Sequence, residues 1–192
     1  MAEIKLTKTE LRVQQNKLGQ LQRYLPTLQL KKAMLQAEVD AVRAVIKKLQ
    51  EKETFYQEHV AAYSRLTLMM NYPSVKEVAK IKEVLIDRDN IAGVEVPSFN
   101  KVEFHEPEYH LFDTPPWLET AMHGIQKLIE VELHINAEKE KLRRLQKELR
   151  EVSIRVNLFE KVMIPRAIKN IKKIKVFLGD QQLAAVSQAK VA

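Results

Sequence analysis

From Leu21 onward the chain places an apolar residue at every seventh position: Leu21, Leu28, Leu35, Val42, Leu49, Tyr56, Tyr63 and Met70. A companion register, offset by three or four, holds Leu11, Leu18, Leu25, Val39, Ile46 and Val60, interrupted by Lys32, Glu53 and Thr67. An ordinary amphipathic helix drifts out of phase with a seven-residue period over such a length. A stripe that keeps the period predicts a left-handed supercoil about a partner helix. Thr7 followed by Glu10 has the form of a capping box, in which each residue satisfies an orphan amide at a helix start. The pattern therefore predicts one helix from about Thr7 to Met70.

The same grammar returns after Thr114, where Pro115 or Pro116 suits a first helical turn. One register reads Leu128, Ile135, Leu142, Leu149, Val156 and Met163; the other reads Val131, Leu145, Val152 and Phe159, with Glu138 and Arg166 as polar exceptions. Between the two helical stretches, Val94-Glu95-Val96 and Val102-Glu103-Phe104 alternate apolar and polar residues around Pro97-Ser98-Phe99-Asn100. That is the signature of a β-hairpin turning at the proline. Lys80 to Ile86 fits either a strand or a short helix.

The expected fold is all-α dominated. Two long helices form an antiparallel left-handed coiled coil, with a small β-hairpin-containing segment between them. The expected divisions are an N-terminal helix over 1–70, a connecting segment over 71–113, and a C-terminal helix and tail over 114–192. If Met70 lies level with Trp117, Leu11 lies level with about Leu178, and the result is a rod with both termini at one end.

Composition agrees with long helices rather than a round core. Of 192 residues, 30% are charged, 6% are aromatic and four are glycine. Cysteine is absent, which excludes disulfides and thiolate metal sites. The opening Met1-Ala2-Glu3-Ile4-Lys5 has no apolar stretch of a signal peptide, and no run suits a membrane span. The net charge of +7 favours acidic partners.

The search for chemistry finds little. His105 and His110 are five residues apart with Pro107 between them, which is unlike the one-face histidine pair of a zinc helix. His123 and His134 lie on a helix among polar neighbours and read as surface or seam-flanking residues. Gly-rich phosphate cradles and nucleophile elbows are both missing. The sequence is read as non-enzymatic, with no cofactor and no metal. One basic stretch, Arg166, Lys169, Lys172, Lys173 and Lys175, is interleaved with Ile168, Ile171 and Ile174. It suits docking into an acidic protein socket. A basic coiled-coil arm for nucleic acid, or a membrane-surface scaffold, is the alternative.

The stretch Arg155-Val156-Asn157-Leu158-Phe159-Glu160, followed by Ile164-Pro165, resembles a signature of the D subunits of V-type and A-type rotary ATPases. Asn90-Ile91-Ala92-Gly93-Val94-Glu95-Val96-Pro97 resembles that family's hairpin strand, and Leu28-Gln29-Leu30-Lys31-Lys32 its opening helix. The resemblance implies a central-stalk rotor shaft without chemistry of its own. Its partners would be the hexamer of catalytic A and B subunits, the F subunit, and the base subunit above the membrane ring. The protein would lie on the cytoplasmic side as a peripheral component. The basic stretch from Arg166 to Lys175 would contact the hexamer. Gly93, Val94, Val96, Pro97, Phe99, Val102 and Phe104 would form the family's hairpin. A segment of about 43 residues between the helices is too short for the α/β domain of the F-type counterpart.

A torque shaft must resist bending, and glycine is absent from Gln20 to Ala92 and from Ile125 to Leu178. Proline interrupts the helices only at Pro26 and Pro165. The register above places them within about one turn of each other, where they would share a bend; on outer faces they would merely loosen the rod.

Overall fold

The computed structural model describes residues 5–69, 80–105, 115 and 117–191. Helix α1 runs over Lys8–Met69, strands β1 and β2 over Ile81–Ile91 and Val94–Phe104, and helix α2 over Trp117–Leu158. A π-helical segment, Phe159–Met163, joins α2 to helix α3 over Ile164–Val191. Long helices with a small antiparallel hairpin between them are the architecture that the heptads predicted. The chain divides into two compact units, one of residues 1–34 with 149–192 and one of residues 35–148.

At the start of α1, the Glu10 N–H donates to Thr7 Oγ1 at 3.2 Å and the Leu11 N–H to the Thr7 carbonyl at 3.0 Å. This is the Thr half of the predicted box. Helix α2 begins at Trp117, three residues later than expected, with the Leu118 N–H donating to the Pro115 carbonyl at 3.0 Å. Thr114 and Pro116 lie outside the described residues.

In the second unit, Leu49 packs with Val131 and Ile135, and Tyr56 covers the cluster. A Cβ built on Gly124 would stand 3.3 Å from Val60 Cγ2. Residue numbers rise on one helix as they fall on the other, so α1 and α2 are antiparallel here. The register differs from the expected one, which put Val60 opposite residue 127. Gly124 offers no side chain, and Val60 settles into the space it leaves. In the first unit, the Asn170 side-chain amide donates to Gln14 Oε1 at 3.5 Å, where the expectation put Gln14 opposite about residue 175.

The buried seam of α1 is Leu21, Leu35, Val39, Val42, Ile46 and Leu49, every one on a predicted register. On α2, Val131, Ile135, Leu145, Val152 and Val156 are buried as predicted. Glu138, a predicted polar seam position, is also buried, with His134 Nε2 3.9 Å away. Beyond the π segment the phase changes. Fifteen residues, one more than two heptads, separate buried Val152 from buried Ala167, and Ile174 follows seven later. Arg166, expected in the seam, is exposed, and Ile168, expected in the buried stripe, is 50% exposed.

The cause is local. The Ile164 N–H bonds to the Phe159 carbonyl, an i→i−5 contact. Pro165 has no N–H, and in an α-helix its ring would press on the carbonyl four residues back. The wider π turn gives the ring room and inserts one residue into the repeat. That insertion turns Ala167 inward in place of Arg166.

The hairpin turns at Ala92–Gly93, not at Pro97–Asn100 as the alternation suggested. Ile91 pairs with Val94, while Ala92 and Gly93 have φ of 51° and 83°. Positive φ at both positions is the two-residue turn whose twist suits a hairpin. Asn90 Oδ1 accepts from the Gly93 N–H at 2.9 Å and supports it. Pro97 lies within β2 opposite Arg88. A two-stranded sheet consists only of edges, so a missing ladder donor is tolerated there. Asn100 is the extra residue of a bulge, since Leu85 pairs with Lys101 and Ile86 with Phe99. Of Lys80–Ile86, the residues from Ile81 onward are strand.

Two stability measurements test this packing. Gly124→Ala is expected to stay within about 1 kcal/mol of the parent, because helix propensity offsets the tight contact with Val60. Gly124→Leu is expected to lose about 1–3 kcal/mol by overpacking in urea titrations followed by helical circular dichroism. For the phase change, Ala167→Glu is expected to lose about 3 kcal/mol by burying an unpaired charge, and Arg166→Ala to change stability by under about 0.5 kcal/mol. The opposite order would mean that the seam continues in unbroken heptads through Pro165.

Candidate assembly surfaces

The expected functional residues fall into separate groups. Arg166, Lys169, Lys172, Lys173 and Lys175 are all exposed on α3. None has an ion-pair partner among the described residues. Around them stand exposed apolar side chains, Ile168, Val176 (57% exposed) and Phe177 (37%), while Ile174 faces the seam. The periodicity that buries Ala167 and Ile174 turns the lysines and these apolar groups to solvent. The exposed apolar groups suit a protein contact, and the unpaired cations would favour an acidic partner.

Pro26 and Pro165 are both exposed in the first unit. Helix α1 passes through Pro26 without interruption, whereas the π segment precedes Pro165. Counting from the Gln14–Asn170 contact, Pro26 is level with about residue 158, a rise of ~10 Å from Pro165. They do not face each other within one turn.

The hairpin residues form a surface in the second unit. Val96 is 1% exposed, and the Phe99 ring stacks on the His134 ring of α2 with centroids 4.8 Å apart and planes 19° from parallel. Arg144 donates through one terminal nitrogen to the Glu95 carbonyl at 3.1 Å. Four residues of strand, ~13 Å, thus match ten of helix, ~15 Å, and β2 runs antiparallel to α2. Glu140 holds the arginine in place, accepting from Arg144 Nε at 2.9 Å and from Arg143 Nε and a terminal nitrogen at 2.7 and 2.8 Å. The two guanidinium groups bring the Glu140 carboxyl down to about 2.

On the strands, Lys101 Nζ donates to Glu103 Oε1 at 2.7 Å, and Lys82 stands 3.7 Å from the same carboxylate. This lowers the Glu103 carboxyl and raises the Lys101 ammonium. The charges relieve the direct Glu83–Glu103 pairing in the ladder. The hairpin residues are legible in the sequence but their anchors are not, because no local pattern ties His134 or Arg144 to a strand some forty residues away.

His105 closes the hairpin by donating its N–H to the Lys80 carbonyl at 3.1 Å. The rest of the His105–His110 stretch lies outside the described residues. Among the described residues no group of three or more His, Cys, Asp or Glu side chains is placed to hold a metal ion. No helix among them is long and apolar enough to cross a membrane.

The sequence profile of the ATP synthase D subunits matches residues 10–192. The chain is 41% identical over 191 residues to a V-type ATP synthase D subunit of Chlamydia pneumoniae, covering 99% of this chain and 91% of the relative. It is 37% identical over 192 residues to the V-type ATP synthase D subunit of Borreliella burgdorferi, covering 100% and 94%. The chain belongs to the family of ATP synthase D subunits. As a member of that family it is a component of an ATPase complex, and its surfaces are read as assembly surfaces. The family resemblance seen in Arg155–Pro165 coincides with the π segment and its proline.

The Glu140 network predicts a pH response. A carboxyl depressed from 4.5 to about 2 contributes stability above the unfolded value and loses it as pH falls through the folded one. The melting-temperature gap between the parent and Glu140→Gln should therefore hold above about pH 5, shrink below it and close near pH 2. A gap that stays constant down to pH 2 would show that Glu140 does not hold the two arginines in solution.

Proposed function

We propose that this chain is the central-stalk shaft of a V/A-type rotary ATPase and performs no catalysis itself. It couples ATP turnover in the A/B hexamer to proton or sodium transport through the membrane ring. The carrying observation is the match to the family of D subunits along almost the whole chain, joined to helices held by a sustained apolar seam. A torque-bearing element must be stiff, and a closely packed seam without glycine along most of its course supplies stiffness. The exposed basic and apolar face of α3 is assigned to the hexamer. The F subunit and the base subunit complete the contacts, and the chain is a peripheral component on the cytoplasmic side. This reading includes a bend at Pro165, supported by the departure of the π turn from regular helix, with Pro26 adding local compliance.

The absence of cysteine gives a clean test. Glu83→Cys on the exposed face of β1 provides the one cysteine of this chain, for a bead attached before assembly with a hexamer fixed to a surface. Under ATP the bead is expected to rotate unidirectionally. ATP hydrolysis with a stationary bead would overturn the shaft reading. Salt-sensitive retention of RNA by the chain, without association with A and B subunits, would favour the nucleic-acid arm.

A further inference from the structure

In the unit of residues 1–34 and 149–192, a groove of about 630 Å³ opens where the first turns of α1 face the π segment. Leu158, Val162 and Met163 give it an apolar wall, and Leu158 and Val162 are 45% and 51% exposed. Lys5, Lys17 and Arg166 also line it, and none of the three has an ion-pair partner among the described residues. Among the described lining residues the single carboxylate, Glu10, accepts from the Gln14 side-chain amide at 2.9 Å. Gln14 accepts in turn from Asn170. Its described residues therefore offer three cations against one carboxylate beside bare apolar surface.

The π turn accounts for this combination. The inserted residue rotates Ala167 into the seam and leaves Arg166 outside, on the flank that carries Leu158 and Val162. A free inorganic anion would answer the cations and leave the apolar wall wet. A purely apolar side chain would leave three positive charges facing a site it had dehydrated, which is costly. An acidic peptide segment bearing a bulky apolar side chain satisfies both, and the groove has the size of a typical ligand pocket.

We infer that the groove at the π segment seats an acidic, apolar-anchored segment of a surrounding protein of the A/B hexamer. This rests on the shaft reading above and adds the place and chemistry of one contact.

The test uses full-length chain with the F subunit and the reconstituted A/B hexamer. The groove variant Lys5→Gln/Lys17→Gln/Arg166→Gln is compared with Lys139→Gln/Lys141→Gln/Lys147→Gln, which removes the same charge elsewhere. All six side chains are exposed or half-buried, and melting curves confirm that both variants fold. The groove variant is expected to bind the hexamer about tenfold more weakly at low salt and to lose much of its salt dependence, with the second variant within about threefold of the parent. Val162→Ser is expected to weaken binding about fivefold with the salt dependence unchanged. Equal binding by the two triple variants overturns the groove proposal alone. Failure of the parent chain to bind the hexamer overturns the shaft reading and the groove together. Loss of RNA binding rather than hexamer binding in the groove variant also overturns it.

Discussion

Everything else in this protein depends on burying an apolar stripe between antiparallel helices. A helix of 62 residues that left its stripe in water would forfeit most of what stabilises it, since propensity alone supports a helix weakly. Leu35, Leu145 and Ile174 are fully buried, and Val39 and Val152 nearly so. These side chains leave the rest of the surface free to be charged. Surface ion pairs such as Arg43–Asp40, at 3.5 Å with both side chains more than half exposed, add little.

The seam also explains the irregularities. Gly124 is a poor helix residue in isolation, but here it makes room for Val60. Pro165 is worse, and the chain answers it with a π turn rather than a broken helix. One inserted residue then shifts which side of α3 is buried. Strain at one position is thereby converted into a new outer face, where Arg166 and its neighbouring lysines meet solvent.

Long-range periodicity was legible because every heptad repeats the same physical demand. The registers named from sequence contain all six apolar positions that are buried among the described side chains of α1. What the period could not show was where it breaks. Arg166 in a seam position, followed by apolar Ala167, Ile171 and Ile174, was the visible sign of a one-residue slip just beside a proline. The hairpin was legible as alternation but not in its turn, because Ala92 at positive φ is an unusual occupant and Pro97 an unusual strand residue. Asn90 resolves the first by bonding to the Gly93 N–H, and the two-stranded sheet permits the second. The partners of the hairpin on α2 are tertiary facts, with no trace in local pattern.

The two departures from regular structure have different consequences. At the hairpin, the contacts of β2 with its helix are met within the chain: Phe99 finds His134, the Glu95 carbonyl finds Arg144, and Glu140 fixes the arginine. At the π segment the described residues leave the surface incomplete, because Leu158 and Val162 stay in water beside cations that no described carboxylate neutralises. Surfaces with exposed apolar groups and unpaired like charges are stabilised when a complementary partner covers them. In a component of a larger complex, the hairpin is thus held by its own helix, while the π turn that Pro165 imposes leaves a face that the proposed hexamer contact would cover.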